Sequence, residues 1–193
     1  MTFRLEAGVQ YRRGMNDVSI RPYCPDDHDG VQRVVSAAFH PGNEATLVER
    51  IRSSEYYVAD TELVAVIGDE IVGHVMVSSA SIVDDAGTTS PIAMLSPLAV
   101  DPAHQRQGIG GALVEAVCAI AEDRAEPVIV LEGSPSYYSR FGFEPAEHLG
   151  ITLPLPDWAP PEAAQVLRLS AYDPRDPGLR GTVRYPPAFD GFE

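Results

Sequence analysis

The residues with the clearest potential for chemistry lie in a glycine-rich stretch from Gln105 to Ala112. It contains Arg106 and three glycines, Gly108, Gly110 and Gly111, and it separates a strand-like run from a helical pattern. The first turn of a helix has unpaired backbone N–H groups and a partial positive charge, so it can bind an anion. Glycines lack the Cβ atoms that would keep a pyrophosphate away from those donors. The stretch therefore predicts a phosphate-binding turn, with Arg106 as a fixed cation.

A tight loop between a strand and a helix would also use glycines. Glycine costs a helix roughly 1 kcal/mol relative to alanine, so Gly110 and Gly111 within the first turn favour close approach of a bound group. A dinucleotide-binding fingerprint needs G-x-G-x-x-G, but the run that begins at Gly108 has Leu113 in the last place. A Walker P-loop needs Gly-Lys-Ser/Thr, which this stretch lacks. The turn fits neither of these nucleotide-binding motifs.

The elements that must position this turn follow from the spacing of apolar residues. One face of the segment from Gly108 to Asp123 is apolar, which predicts a helix. The run Ile92–Val100 before it is predicted to be a strand, and the run Pro127–Leu131 after it is short enough to be a buried strand. A strand, a helix and a strand in this order predict a parallel crossover.

The rest of the chain alternates between helical and strand-like patterns. Two further helices are predicted, one from Pro25 to Phe39 and a short one that includes Leu47 to Ile51. The remaining strand patterns cover Val18–Tyr23, Leu63–Ile67, Ile71–Val77, Gln165–Leu169 and Thr182–Tyr185. No internal repeat is visible. These elements together predict an α/β fold.

Length and charge restrict the classes of function. The 193 residues suit a single domain, which we place at residues 15–193, after an N-terminal stretch without clear periodicity. We expect that stretch, residues 1–14, to be a flexible extension. The formal net charge of −14, from 14 Lys and Arg against 28 Asp and Glu, argues against binding to nucleic acid. A cationic or neutral substrate fits this charge better.

Neither a membrane segment nor a metal site is expected. No segment approaches the roughly 20 apolar residues that cross a bilayer, and the start lacks the apolar core of a signal peptide. A cytoplasmic protein without membrane attachment is therefore expected. Cys24 and Cys118 lie far apart without metal-type spacing, and the five histidines show no ligand spacing. We predict no disulfide framework and no metal centre.

Two elements resemble the signature of a known family. Leu98-Ala99-Val100 followed by Gln105-x-x-Gly108-x-Gly110 resembles the acetyl-CoA signature of the GNAT superfamily of N-acetyltransferases. The segment Tyr137–Phe143 resembles the family's Tyr-x-x-x-Gly-Phe element, in the form seen in the YhbS-like group of predicted acetyltransferases. The resemblance covers about Val18 to Leu149, and beyond that only Gly181–Phe189. It implies a GNAT-like mixed, twisted central sheet of about seven strands with helices on both faces.

The resemblance also implies a co-substrate, acetyl-CoA, and an acceptor that is an amine-bearing small molecule or peptide. The backbone of Leu98, Ala99 and Val100 would bind the pantetheine arm as an added strand. Gln105 belongs to the signature, and the N–H groups that would hold the pyrophosphate are those of Arg106, Gln107, Gly108, Ile109, Gly110, Gly111 and Ala112. Many family members have an Asn after the fifth strand, where this chain has Glu132-Gly133-Ser134-Pro135. Ser134 is the candidate replacement.

Two residues are candidates for proton transfer. Tyr138 occupies the position of the family's general acid, which donates to the leaving thiolate. Full transfer from a phenol of pKa about 10 to a thiolate of pKa about 8.5 costs about 2 kcal/mol, so we expect hydrogen-bond donation. Core packing is the alternative role for Tyr138 and for its neighbour Tyr137. Glu44, near a helix start and at a position that is usually acidic in the YhbS-like group, is the candidate base; a solvated helix face is its alternative role.

These observations predict an acetyl-CoA-dependent N-acyltransferase that acts on a primary amine by direct transfer. The alternative is a non-catalytic acyl-CoA-binding or regulatory module that uses the same turn without an acceptor. A serine hydrolase is not expected because the chain has no Gly-x-Ser-x-Gly elbow. A homodimer is compatible with the sequence, which does not define the oligomeric state.

Overall fold

A computed structural model describes residues 9–12 and 17–192. Ten strands within these residues belong to one sheet. The strands are β1 (Val9–Arg12), β2 (Asp17–Pro22), β3 (Glu62–Ile67), β4 (Glu70–Val83), β5 (Thr89–Val100), β6 (Val128–Glu132), β7 (Glu144–Pro145), β8 (Ile151–Thr152), β9 (Ala164–Arg168) and β10 (Gly181–Arg184). The α-helices are α1 (His28–Ala38), α2 (Glu44–Arg52), α3 (Ile109–Asp123) and α4 (Pro135–Tyr138).

The strands follow the order β1-β2-β3-β4-β5-β6-β9-β7, and β10 pairs with the far end of β4 and with β8. The long hairpin of β4 and β5 forms the centre of the sheet. Its turn is fixed by Asp84, whose Oδ1 accepts the N–H groups of Ala86 at 2.9 Å and Thr88 at 2.7 Å. An Asp that binds the backbone two and four residues ahead stabilises a tight turn, which explains where the hairpin reverses.

The parallel contact between β5 and β6 is short. The two strands pair only at Ala93 with Ile129 and at Met94 with Val130. Beyond these pairs β5 continues to Val100 and β6 to Glu132 without pairing to each other. The half of β5 that leads to α3 therefore has one backbone edge that no strand of the described chain occupies.

The side chains of β3 show how helices cover both faces of the sheet. Leu63 and Ala65 pack in the same cluster as the apolar face of α3, whereas Val64 and Val66 pack with α1 and α2. This alternation is the ordinary consequence of a strand's period of two. The buried residues of α3 are Ile109, Ala112, Leu113, Val114, Val117 and Ala121. The predicted arrangement with helices on both faces is confirmed.

The C-terminal part of the chain covers the rest of the α1 and α2 face. Ile82, Met94 and Val130 form a second cluster there, against which Tyr185 and Phe189 pack. Phe189 also packs against the cluster under α1 and α2, so it joins the two. This face is therefore closed by two helices at one end and by irregular chain at the other.

The predicted helices and the parallel crossover through α3 are present. The count of about seven strands is exceeded by β1, β7 and β8, of which the last two have only two residues each. Strands of two residues are recognised only by their pairing with other strands, because they are too short to show an alternating hydrophobic pattern.

The N-terminal stretch expected to be a flexible extension, residues 1–14, includes one described strand. Val9–Arg12 form β1, which pairs antiparallel with Asp17–Ile20. Four residues are too few for an alternating pattern to stand out, which is why the strand was not predicted. The other residues of that stretch lie outside the described residues.

Candidate active site

The glycine-rich turn leads from β5 into α3 with an unusual backbone. Gly108 immediately precedes the helix with a φ of 91°, and Arg106 has a φ of 60°. The left-handed conformation at Gly108 is costly for any residue with a Cβ, so this glycine is needed for the turn itself.

The start of α3 leaves a row of backbone donors without partners. Ala112 is the first residue of the helix whose N–H reaches back, to Gly108 O at 3.0 Å. The N–H groups from Gln105 to Gly111 have no acceptor within residues 9–12 and 17–192. They lie at the positive end of a helix of 15 residues, which suits them to an anionic ligand.

Aromatic residues from the Tyr137–Phe143 segment line the same helix start. A Cβ added at Gly110 would lie 2.6 Å from Tyr137 Oη, and one added at Gly111 would lie 3.3 Å from Phe141 Cζ. Both glycines therefore admit close neighbours, but the neighbours that the structure shows are protein side chains. The glycines were predicted to leave this space to the pyrophosphate.

Arg140 is a cation near the helix start that the sequence analysis missed. Its guanidinium stacks over Tyr137 at 4.3 Å and over Phe141 at 4.6 Å from the ring centroids. Its Nη2 would lie 3.7 Å from a Cβ added at Gly111. Its place inside the Tyr137–Phe143 motif was the available signal, although its position depends on how that segment docks onto α3. Arg106 and Arg140 together give the turn two cations in an acidic protein.

The free edge of β5 presents a defined set of backbone groups. Asp101 N–H donates to Val72 O at 2.9 Å, which directs Asp101 and, by alternation, Ala99 toward β4. Leu98 and Val100 therefore direct their N–H and C=O groups to the open side. Gln105 Nε2 donates to Val100 O at 3.1 Å, in agreement with this orientation. Of the three residues predicted to bind a pantetheine arm, Leu98 and Val100 face the open edge and Ala99 does not.

Tyr138 lies at the end of α4 on the α3 face of the sheet. Its ring packs edge-on against Tyr137 at 4.9 Å and Phe143 at 5.6 Å between centroids. A Cβ at Gly133 would overlap this ring, 2.8 Å from Cδ2, so Gly133 makes room for it. Burial raises the pKa of the phenol, with smaller contributions from Tyr137 and Cys118. Tyr138 is therefore protonated at neutral pH and can donate a hydrogen bond.

Two further predicted site residues, Ser134 and Glu44, do not share the surroundings of Tyr138. Ser134 precedes the first turn of α4, where its carbonyl accepts the N–H of Tyr137 at 3.0 Å and its Oγ lies 2.9 Å from Ser136 Oγ. Glu44 begins α2, and its Oε2 is buried without a partner in the described part of the chain. No contact among the described residues joins Glu44 to Tyr138 or to the glycine-rich turn.

A carboxylate that the sequence analysis did not assign lies at the end of β6. Glu132 is exposed, and its Oε1 accepts a hydrogen bond from the hydroxyl of Tyr185, 53 residues later in the chain. Burial and this hydrogen bond raise the pKa of Tyr185. The only sequence signal was the departure from the family's Asn in this segment, and the contact with Tyr185 was not predictable from spacing.

A buried charged cluster joins α2 to β3 and β4. Glu62 accepts hydrogen bonds from His74 Nε2 at 2.9 Å, Arg52 Nη2 at 2.5 Å and Tyr57 Oη at 2.7 Å. Burial opposes ionisation of Glu62, but the three donors outweigh it and lower its pKa; burial lowers the pKa of His74. No contact in the described chain links the cluster to Tyr138. We assign it to the stability of the fold.

No helix among residues 9–12 and 17–192 is long and apolar enough to cross a membrane. No group of three or more His, Cys, Asp or Glu side chains in the same residues is arranged to hold a metal ion.

Comparison with known proteins connects this geometry to a family. The family model described as Acetyltransferase (GNAT) domain matches residues 19–146. The uncharacterized N-acetyltransferase YhbS of Escherichia coli K12 is 33% identical over 176 residues, which cover 90% of this chain and 99% of that protein. The uncharacterized N-acetyltransferase YjhQ of the same strain is 30% identical over 132 residues, which cover 67% and 72% of the two chains.

Two solved structures share the whole fold. The crystal structure of YhbS from Escherichia coli in complex with CoA has a TM-score of 0.78 at 27% identity and covers 95% of this chain and 97% of that one. A GNAT family acetyltransferase from Brucella melitensis in complex with acetyl-CoA has a TM-score of 0.71 at 28% identity and covers 91% and 100% of the two chains. The family model spans more than half of this chain, and YhbS is similar over nearly all of it, so the chain belongs to the GNAT family of acetyltransferases.

Proposed function

We propose that this protein transfers the acetyl group of acetyl-CoA to a primary amine by direct attack of the amine on the thioester. The observation that supports it best is the free edge of β5 at Leu98 and Val100, which runs directly into a helix start with unpaired N–H groups. Such an arrangement suits a ligand with an amide-bearing arm and a pyrophosphate. The CoA and acetyl-CoA complexes of the two solved relatives support this choice of donor.

The chain offers separate groups for each part of the donor. The N–H groups from Arg106 to Gly111, with Arg106 and Arg140 beside them, would hold the pyrophosphate. The N–H of Ala112, which was also predicted to do so, already donates to Gly108 O. Leu98 and Val100 would pair with the pantetheine arm. The thioester end of acetyl-CoA would then lie along β5, at a set distance from the pyrophosphate at the start of α3. Ser134 stays a predicted contact of the donor, at the start of α4. Residues 15–193 act as one catalytic domain in this scheme.

An alkylammonium acceptor must lose two protons, one before attack and one as the amide forms, and the leaving sulfur needs a hydrogen-bond donor. An alkyl ammonium of pKa about 10.4 costs about 4.6 kcal/mol to deprotonate at pH 7. The neutral amine then forms the N–C bond, the nitrogen releases its extra proton to solvent, the C–S bond breaks, and the sulfur leaves with its electron pair. Tyr138 donates a hydrogen bond to that thiolate, which later takes a proton from solvent. Glu44 stays a predicted base whose position in α2 gives it no contact with Tyr138.

The proposal is tested by measuring thiol release from acetyl-CoA with a panel of primary amines and amine-bearing peptides. We expect amine-dependent release of CoA and an acetylated product of matching amount. Calorimetric titration with CoA, carried out on the same preparation, reports donor binding separately. Tight binding of CoA with no turnover on any acceptor would replace the proposal with a non-catalytic acyl-CoA-binding module.

A further inference from the structure

We propose that Glu132, held in place by Tyr185, is the carboxylate that recognises the cationic amine of the acceptor. This inference rests on the proposed transfer to an amine and names the group that selects the acceptor. Its basis is the position of Glu132 on the sheet, the hydrogen bond from Tyr185, and the lack of a cationic partner among residues 18–192.

The position of Glu132 follows from the alternation along β6. Ile129 and Leu131 pack in the cluster that includes α3, whereas Val128 and Val130 pack in the cluster on the opposite face. Because strand side chains alternate between faces, Glu132 leaves β6 on the face opposite α3. Tyr138 packs against the α3 cluster. The carboxylate and the phenol therefore belong to opposite faces of the sheet.

Along the strand direction, Glu132 lies beside the point where the unpaired edge of β5 begins. The last pair between the two strands is Met94 with Val130, and Glu132 follows two residues later. It thus stands at the point where β5 and β6 cease to pair. The proposed donor site occupies the α3 face and the open edge, so an acceptor that meets the thioester at this opening approaches from the Glu132 face.

Tyr185 fixes the carboxylate without neutralising it. The Tyr185 hydroxyl donates to Glu132 Oε1, and its ring packs at a tilt against Phe189, 5.5 Å between centroids. A phenol that donates orients a carboxylate but leaves its charge and its other oxygen free. Among residues 18–192, no Lys, Arg or His forms an ion pair with Glu132. An ammonium group would supply the cationic partner that these residues do not.

The segment after β10 connects this carboxylate to α2. Ala188 and Phe189 pack with the cluster under α1 and α2, and Arg50 of α2 donates to Asp190 O at 2.9 Å. Tyr185 at the start of the same segment binds Glu132. The segment therefore forms one wall of the acceptor side, with the carboxylate at its end. The acceptor class that fits is a primary aliphatic amine, which is charged at neutral pH.

The test compares Glu132→Gln with Glu55→Gln. Glutamine keeps an oxygen that can accept from Tyr185 but removes the negative charge, and Glu55 is an exposed control without a side-chain partner in the described chain. We expect Glu132→Gln to raise KM for an aliphatic amine about 10- to 100-fold, as loss of a hydrogen bond to a charged group does. An arylamine that is neutral at pH 7 should be affected less than about 3-fold in the same variant. CoA affinity and the control variant should match the wild-type protein.

Tyr185→Phe tests the positioning of the Glu132 carboxylate separately from its charge. It keeps the ring packing and the carboxylate but removes the donor, so KM for the aliphatic amine should rise by a smaller factor, about 3- to 10-fold. Calorimetric titration of the aliphatic amines into CoA-saturated protein measures the same site without turnover. Equal amine affinity and equal KM in Glu132→Gln and the wild-type protein would overturn the inference.

Failure of the proposed function gives a different result. If no amine is turned over but amines bind in a Glu132-dependent way, the carboxylate site stands and the transfer reaction does not. If no amine binds to the CoA-saturated wild-type protein at any accessible concentration, both are overturned.

Discussion

Gly110 and Tyr137 meet at the start of α3, and replacing each of them tests whether that contact exists. A Cβ at Gly110 would lie 2.6 Å from Tyr137 Oη but 3.4 Å from Val100 Cγ2 and 3.8 Å from Tyr137 Cζ. Only the phenolic oxygen is too close, because the other two distances are ordinary contacts. Gly110 is not among the described residues with positive φ, so alanine can adopt its backbone conformation.

The expected energies follow from these distances. In a Tyr137→Phe background, Gly110→Ala should stabilise the fold by about 0.5 to 1 kcal/mol, since alanine favours a helix more than glycine does. With Tyr137 present, the displaced hydroxyl adds an overpacking cost of about 1 to 3 kcal/mol. Gly110→Ala should then destabilise the wild-type protein by about 1 kcal/mol. The coupling free energy between the two positions should be about 1.5 kcal/mol.

Urea denaturation of the wild-type protein, the two single variants and the double variant gives this coupling directly. The four proteins should share one m-value, because the change is local. If Gly110→Ala had the same effect on the free energy of unfolding in both backgrounds, Tyr137 Oη would not lie against Gly110 and the docking of α4 onto α3 would be wrong.

Titration of the Gly110→Ala, Tyr137→Phe double variant with CoA shows whether Gly110 makes room for the pyrophosphate or only for Tyr137. This variant has no clash with the phenolic oxygen, so any loss of affinity relative to Tyr137→Phe alone comes from the methyl group itself. If the pyrophosphate approaches the backbone at Gly110, we expect CoA affinity to fall about 10-fold while the fold is intact. Unchanged affinity would mean that the glycine serves Tyr137 alone.

Three further changes test the donor site, the catalytic donor and the buried cluster. Tyr138→Phe should lower kcat about 100-fold at saturating acetyl-CoA with little change in CoA affinity, and steady-state kinetics that show near-normal kcat would assign Tyr138 to the core. Arg140→Gln should raise KM for acetyl-CoA about 10-fold and weaken its dependence on salt, as titrations of KM against ionic strength would show. Lowering the pH below about 6.5 should destabilise the fold, because the pKa of buried His74 lies below its ordinary 6.5 and the unfolded chain takes up the proton first. Thermal melts from pH 8 to pH 5 should show this slope in the wild-type protein and a flatter one in His74→Gln, and equal slopes would contradict the assignment.

The parts of the fold that sequence predicts are those set by local periodicity. The apolar face of α3 and the mainly apolar run of β5 are each visible within about 15 residues, so the crossover and the turn between them were predictable. The turn's glycines were equally clear, but their neighbours were not. Tyr137 reaches Gly110 only because α4 docks on α3, and that docking depends on packing between segments more than 20 residues apart.

Polar contacts between distant segments were not predictable for the same reason. Glu62 begins a strand whose other residues are apolar, and His74 lies in a mainly apolar part of β4, which gives no indication of a partner. Their hydrogen bond requires that β3 and β4 pair in one register, with Val64 opposite His74. The bond between Tyr185 and Glu132 requires that the chain after β10 crosses toward the end of β6. The spacing of residues along the sequence indicates neither the β3–β4 register nor the path of the chain after β10.

The change from the donor side to the acceptor side of the proposed reaction takes place between two adjacent residues of β6. Leu131 faces α3, Glu132 faces the other side, and the chain then turns at Gly133 into α4, which brings Tyr138 back to the α3 side. The acceptor carboxylate and the thiolate donor thus come from one continuous segment, yet they reach the opening between β5 and β6 from opposite faces. A strand that pairs with β5 only at Ala93 and Met94 can supply both. If β6 paired with β5 along its full length, the edge at Leu98 and Val100 would be filled and the two groups would have no common opening. The shortness of that parallel ladder is therefore the structural condition for the proposed transfer.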